Sequence, residues 1–357
     1  MDSDQNGRSG RRTLVRVALT VALFGVVVFA VDQLVPGARH RLARASPGWL
    51  GVAAGLELLA CAGYVLLFQT VFSRAPWLIR LRRGAQIALG ELGAFAITPT
   101  GLGGPAVRVW GLRAGGMPWR VLIVRSISHG AIFNLPYAVA AVVLGAGVSL
   151  ELLPGHAPVL TALAPLALVV AACALYGVAA WFGRRGSSSG DSPRRGWVLS
   201  ALGTIPEGIA DFLVLMRRRR PLLGAIGWWA GDCAALWAAF QAVGGRPALS
   251  VLILAYMLGQ LGNTLPLPGG VGGVEPLMLG IFSASGVNLG LAAAAVICYR
   301  TIALGTQGIL GSAAFVSLAS DLRRERRSRP GSAEGPPSLR RQVLPERRQA
   351  GAGASET

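Results

Sequence analysis

The sequence predicts an all-α polytopic membrane protein with about six full spans and two broken or re-entrant helical hairpins, related as an inverted repeat. Three observations carry that prediction. Of the 357 residues, 53% are hydrophobic and 14% are charged, against about 25% charged in soluble domains, and the mean hydropathy is +0.54. The apolar residues gather into stretches of roughly 20 residues, the length a helix needs to cross a hydrocarbon core of about 30 Å. Two of these stretches are interrupted by Pro- and Gly-rich turns that no continuous helix accommodates.

The formal net charge is +18, and every basic residue is Arg. A nucleic-acid partner would require a basic face on a soluble module. Here the arginines stand at the ends of apolar spans and in the tail, which is the placement of a positive-inside signal. Cys61, Cys173, Cys233 and Cys298 each lie inside an apolar segment without CxxC or metal-ligand spacing, so neither a disulfide framework nor a metal site is indicated. No cofactor signature is present: there is no Walker loop and no zinc-protease cluster, and the Gly-rich patterns do not follow a soluble strand.

Residues 1–14 form a basic tail with Arg8, Arg11 and Arg12, expected to be cytoplasmic, and 15–320 form the integral membrane domain. A first span covers about 15–35, too long and without the small-residue cleavage site of a signal peptide. A second covers about 49–72 and ends at Arg74, Arg80, Arg82 and Arg83, a cytoplasmic marker. Segment 84–112 is broken by Thr98-Pro99-Thr100-Gly101-Leu102-Gly103-Gly104-Pro105 into two half-length helices. A span at about 121–147 reaches an arginine-free loop at 151–158, and the next, about 159–182, returns to Arg184 and Arg185. The Ser/Gly-rich loop 184–196 and the helix 197–216 make up a cytoplasmic-side region through residue 220; Glu207, Asp211 and the arginines at 217–220 place that helix at the interface rather than across the membrane. A span at 221–243 carries Asp232 in its middle. Segment 249–285 is broken in its turn, with an apolar half at 250–265 before the second glycine turn, and a last span, about 288–318, leads to an Arg-rich tail at 321–357, expected to be disordered.

Both breaks can be written Pro-x-Gly-[Leu/Val]-Gly-Gly: Pro99 to Gly104 in the first, and Pro268, Gly269, Gly270, Val271, Gly272, Gly273 in the second, at an offset of 169 residues. Counting sides from the N terminus, the first break begins inside and the second outside, so as hairpins they enter from opposite faces. The alternative makes each half-helix a full or tilted span. Half-helix N termini and glycine nests present unpaired N–H groups at membrane depth, where an anionic group can be held; glycines also simply permit close packing.

The polar residues in apolar surroundings are Glu91, Arg108, Arg125, His129, Asn134, Glu207, Asp211, Asp232, Asn263, Glu275 and Arg300. A charge at bilayer depth faces a cavity or a partner. Arg108 follows the first turn and Glu275 the second, so the two are expected to neutralise each other, coordinate a headgroup or anchor the hairpins. The placement of Asp232 and Arg300 permits a further pair. Arg125 and His129, four residues apart, share one helical face. Glu207 and Asp211 are also four apart but have no companion site for acid–base catalysis. Trp197, Trp228, Trp229 and Trp237 are expected to anchor or pack helices.

Pro266-Leu267-Pro268-Gly269-Gly270-Val271-Gly272-Gly273-Val274-Glu275, followed by Tyr299-Arg300, resembles the lysylphosphatidylglycerol synthase transmembrane-region family, related to the integral portion of the bacterial multiple peptide resistance factor. An earlier family element, Thr-Pro followed by glycine and then Arg, is matched by Thr98-Pro99, Gly103-Gly104 and Arg108, but Pro105 and Ala106 stand where relatives often carry Glu. The resemblance covers nearly all of 15–318. It implies a bacterial inner (plasma) membrane location and translocation of an aminoacylated phospholipid between leaflets; the arginine distribution places both termini on the cytoplasmic side. The soluble aminoacyl-transfer domain is expected to be missing, so the family name does not imply an enzyme.

The leading expectation is a translocase of a lipid or lipid-linked headgroup, with the two glycine turns, Arg108, Glu275 and Arg300 lining a shared polar cavity. Its partners would be a membrane phospholipid or lipid-linked substrate and a separate lipid-modifying enzyme. The alternatives are a lipid-binding accessory protein of a membrane glycosyltransferase or lipid-modifying enzyme, and an enzyme embedded in the membrane.

Overall fold

A computed structural model describes Gly25 and residues 37–98, 102–149, 203–264 and 267–327. The basic tail 1–14, the expected spans at 15–35 and 159–182, the loop 184–196 with Trp197, and the tail beyond Arg327 lie outside the described residues. One compact unit covers Met1–Ala319 and contains everything discussed below; the other, Ser320–Thr357, is helical as far as Arg327.

The described helices are α1 (Ala38–Ala43), α2 (Pro47–Phe72), α3 (Leu81–Ile97), α4 (Gly103–Ala114), α5 (Trp119–Ser149), α6 (Ile205–Met216), α7 (Arg219–Ala242), α8 (Leu249–Gly259), α9 (Val274–Ala284) and α10 (Leu289–Arg327). Among the described residues, four stretches are long and apolar enough to cross a membrane: Pro47–Phe72, Trp119–Leu144, Arg219–Ala242 and Leu289–Glu325. Each coincides with an expected span. Pro47 sits in the first turn of α2, where its fixed φ and missing N–H cost nothing. By contrast the described part of the 197–216 segment is α6, whose 12 residues are about 18 Å long.

Helices α2 and α7 run antiparallel and touch backbone to backbone. A Cβ added at Gly63 would stand 2.7 Å from the Trp228 amide nitrogen, one at Gly224 2.6 Å from that of Leu67, and one at Gly231 3.0 Å from Ala60. Lipid tails are as apolar as the helices, so their association relies on such close approach rather than on the hydrophobic effect.

Both expected breaks are present. The halves α3 and α4 pack against one another, as do α8 and α9. At the first break the Thr98 hydroxyl donates to the Ala94 carbonyl at 2.6 Å and accepts the Gly103 N–H at 3.1 Å, satisfying backbone groups that a continuous helix would pair internally. Gly104 lets α4 close on α3, since a Cβ there would lie 3.1 Å from the Glu91 carbonyl oxygen. At the second break the helix stops at Gly259, short of the expected 265, and tightens into a 3-10 turn over Gln260–Thr264. Side chains three apart eclipse in that geometry, and Asn263 Nδ2 donates to Gln260 Oε1 at 2.6 Å. The chain then turns through Gly269 (φ 57°) and Gly272 (φ 84°), left-handed positions that exclude most side chains. Gly269 lies against the end of α3, where a Cβ would stand 3.1 Å from the Ala96 carbonyl oxygen. The two breaks therefore meet inside the protein.

Overpacking the α2–α7 contact should be costly. Gly63→Leu is expected to destabilise the protein by about 1–3 kcal/mol, read as a lower unfolding midpoint in detergent. Gly55→Leu on the same helix, where nothing lies within 4 Å, should change it by about 0.5 kcal/mol or less. Equal effects at the two positions would contradict the packing.

Candidate functional site

The breaks converge on a cavity of about 490 Å³, to which the first contributes Gly104 and the second Gly269. Tyr64, Phe133, Tyr137, Trp228 and Trp229 form much of its wall. Into it face Glu91, Arg108, His129, Asn134, Asp232, Gln260, Asn263, Arg300 and Gln307. An enclosing aromatic surface with a few converging polar groups is the usual form of a ligand pocket.

Arg108 reaches the cavity from the second turn of α4. Its Nε donates to Glu91 Oε2 at 3.0 Å, and its Nη2 donates to Glu91 Oε1 and to the Tyr64 hydroxyl. The guanidinium also lies over the Phe72 ring at 5.6 Å. Arg300, on α10, donates from Nε to Glu275 Oε1 at 2.8 Å and from Nη2 to the Gly269 carbonyl. The second oxygen of Glu275 accepts the Gly272 N–H at 2.7 Å. Both pairs are almost wholly enclosed.

This corrects the expectation that Arg108 and Glu275 neutralise each other. Each break has its own ion pair, because α3 and α10 supply a partner nearer than the opposite turn does. Glu91 also fills the gap left by Pro105 and Ala106: the carboxylate missing beside Arg108 in sequence arrives from the preceding half-helix. Asp232 Oδ2 instead accepts the Tyr256 hydroxyl at 2.7 Å, while Arg300 is engaged by Glu275 and the Gly269 carbonyl. The amides at the start of α9 are not an open anion nest either, since Glu275 already takes that of Gly272.

Of the other turn residues, Gly103, Gly270, Gly272, Gly273 and Glu275 do not line the cavity, and Pro268 begins the second turn. Pro99 lies outside the described residues. Asn263 Oδ1 is buried without a donor. His129 packs among Tyr64, Phe72 and Phe133 and leaves Nε2 unpartnered. Arg125, one turn away, instead serves the end of α2, donating to the carbonyls of Phe72 at 2.6 Å and Arg74 at 3.1 Å. Trp228 and Trp229 line the cavity, and Trp237 packs edge-on against Trp49.

Glu207 and Asp211 belong to a separate clamp. Glu207 meets Arg120 at 2.6 Å on the surface. Asp211 is held bidentately by Arg74 at 2.7 and 2.8 Å and accepts the Ser128 hydroxyl at 2.6 Å. Burial pushes the Asp211 carboxyl up, but the hydrogen bonds from Arg74 and Ser128 and the charge of Arg74 outweigh it, leaving it below its ordinary value of 3.8. These contacts fasten α6 to the ends of α2 and α5.

Sequence reasoning missed Glu57, Gln260, Gln307 and Tyr256. Gln307 Nε2 donates to Glu57 Oε1 at 2.9 Å within the core. The signal for Glu57 was available: it is the one charged side chain in α2.

Helices long enough to span, two helix breaks that meet and an internal cavity with charged and polar lining residues define an all-α multi-pass membrane protein. The family described as the lysylphosphatidylglycerol synthase TM region matches residues 14–311, and the chain belongs to that family. A UPF0104 membrane protein of Methanothermobacter thermautotrophicus is 32% identical over 93 residues, which cover 26% of this chain and 26% of that protein. The match thus spans about a quarter of each.

Glu275→Ala strands Arg300 and is expected to cost about 3–5 kcal/mol, measured as a loss of stability in detergent; Glu275→Ala combined with Arg300→Leu should recover part of it. Asp211 has a depressed folded-state value, so its stabilisation is complete above the ordinary value of 3.8 and is lost as pH falls through the lower folded one. Asp211→Asn should therefore flatten the acid limb of the stability profile, and an unchanged limb would contradict the clamp.

Proposed function

We propose that this protein moves a lipid or lipid-linked polar headgroup between the leaflets of a bacterial inner membrane, as a translocator rather than an enzyme. The observation that carries this reading is the convergence of both broken helices on one internal cavity lined by two arginines, Arg300 buried and Arg108 largely enclosed. A headgroup phosphate would meet the guanidinium edges of Arg108 and Arg300, whose charges are already balanced by Glu91 and Glu275, so a zwitterionic headgroup that carries its own counter-charge suits the site better than a bare anion. Beside this cavity lies another of about 580 Å³, walled by α5, α7 and α8 and almost wholly apolar. Trp229 lines both. A polar chamber adjoining an apolar one matches an amphipathic ligand, with the headgroup in the first and an acyl or prenyl chain in the second.

In the same proposal the chain makes six spans and two hairpins entering from opposite faces, with both termini cytoplasmic. The arginines at 80–83 and 217–220 support that orientation. Membership of a family named for a lipid synthase supports a lipid substrate.

A leaflet-accessibility assay in reconstituted vesicles tests the reading. The full chain is expected to accelerate transfer of at least one labelled phospholipid or glycolipid. Because removing Arg108 alone strands Glu91, the informative variant is Glu91→Gln with Arg108→Gln, which keeps the site neutral. It should fold normally and slow transfer by about tenfold or more, at least ~1.4 kcal/mol of barrier. No acceleration across phospholipid and glycolipid substrates would refute transport, and a stably co-purifying lipid-modifying enzyme would then favour an accessory role.

A further inference from the structure

Once each arginine of the cavity has its carboxylate, two buried carboxyl groups remain among the described residues. Helices α2 and α7 cross where Ala60 meets Gly231, at 3.0 Å for an added Cβ. Glu57 stands almost one turn before Ala60 and Asp232 directly follows Gly231, so the crossing sets the two carboxyls side by side, each acting on the other's charge. Glu57 Oε1 accepts from Gln307 and Asp232 Oδ2 accepts from Tyr256. The remaining oxygens, Glu57 Oε2 and Asp232 Oδ1, are buried and receive no donor.

Ionised carboxylates are acceptors only, so two in contact repel each other and leave those oxygens unsatisfied. A single proton between them replaces the repulsion with a charge-assisted O–H···O hydrogen bond. The other charged or titratable groups acting on the pair are Arg300 and Tyr299 from α10, Tyr256 from α8, Cys61 on α2 and Cys233 on α7. Arg300 is the cation among them, and it is engaged by Glu275 and the Gly269 carbonyl. Asp232 lines the cavity, which gives the pair access to any water there.

We propose that Glu57 and Asp232 form a proton-binding site, holding one shared proton and exchanging it with the cavity through Asp232, and that this site couples headgroup movement to proton movement. The coupling rests on the transport reading above. The proton passes from cavity water to Asp232 Oδ1, is shared with Glu57 Oε2, and returns to water when the cavity opens to the other face. No electron transfer or co-reactant is involved.

Two measurements on the full chain test the proposal. Infrared spectroscopy of the purified protein in lipid nanodiscs at neutral pH should show a protonated-carboxyl stretch that shifts in deuterium oxide and diminishes in both Glu57→Gln and Asp232→Asn. Glu57→Asp, which keeps an acid, should retain it if Glu57→Gln folds poorly. Absence of the band from the wild type, or its full persistence in both amide variants, overturns the site. In vesicles, a gradient of about one pH unit should shift the leaflet distribution of a transported lipid by up to about tenfold per proton, and Glu57→Gln should abolish that response. A wild type that transfers lipid while ignoring the proton gradient, or that responds to a sodium gradient instead, overturns the coupling and leaves transport standing. A wild type that transfers nothing overturns transport and coupling together, with the infrared result deciding the shared proton alone.

Discussion

A guanidinium at bilayer depth keeps its charge only where protein oxygens replace the water it has lost, and both glycine breaks are organised around that requirement. Interrupting a helix frees backbone N–H and C=O groups that hydrocarbon cannot satisfy. Arg300 and Glu275 answer both problems together, since each neutralises the other while one takes the Gly269 carbonyl and the other the Gly272 amide. Arg108 and Glu91 fasten the first break in the same way, with Thr98 attending to the backbone. The broken backbone and the buried charges thus stabilise one another. Neither is tolerable alone.

This mutual dependence locates the cavity. Both arginines must point inward, so the turns that carry them or receive them meet at the centre, and the space between becomes polar. The opposite wall comes from α2 and α7, whose glycines allow the backbones to touch. That closeness confronts Glu57 with Asp232 and presents the aromatic rings of Tyr64, Trp228 and Trp229 to the chamber. A headgroup entering it finds balanced charges rather than a fixed counter-ion, an arrangement suited to passage more than to retention.

Much of the architecture was legible because it follows from local rules. Runs of apolar residues mark spans, Thr98-Pro99 and Pro268-Gly269 interrupt helical patterns, and Glu207, Asp211 and the arginines at 217–220 count against a span there. The candidate site was legible only as a set of residue types. Arg108 and Glu275 appeared complementary because each follows a similar turn, but sequence offset says nothing of which neighbour a side chain meets. Glu91 lies 17 residues before Arg108 and touches it because α3 and α4 fold back on each other. Glu57 escaped notice beside more obvious charges; its partners Gln307 and Asp232 are 250 and 175 positions away.

By itself, the sequence determined that the chain lives in a membrane, where its helices break and which polar side chains are carried to depth, since these depend on residue type within a window of about one span. Only the tertiary structure decided how those side chains pair, that the two breaks face one cavity, and that two carboxyls are left over beside it. Pairing at membrane depth is settled by which helices can approach closely. That approach depends on small residues on separate helices aligning in space, as Ala60 and Gly231 do, and no linear pattern specifies it.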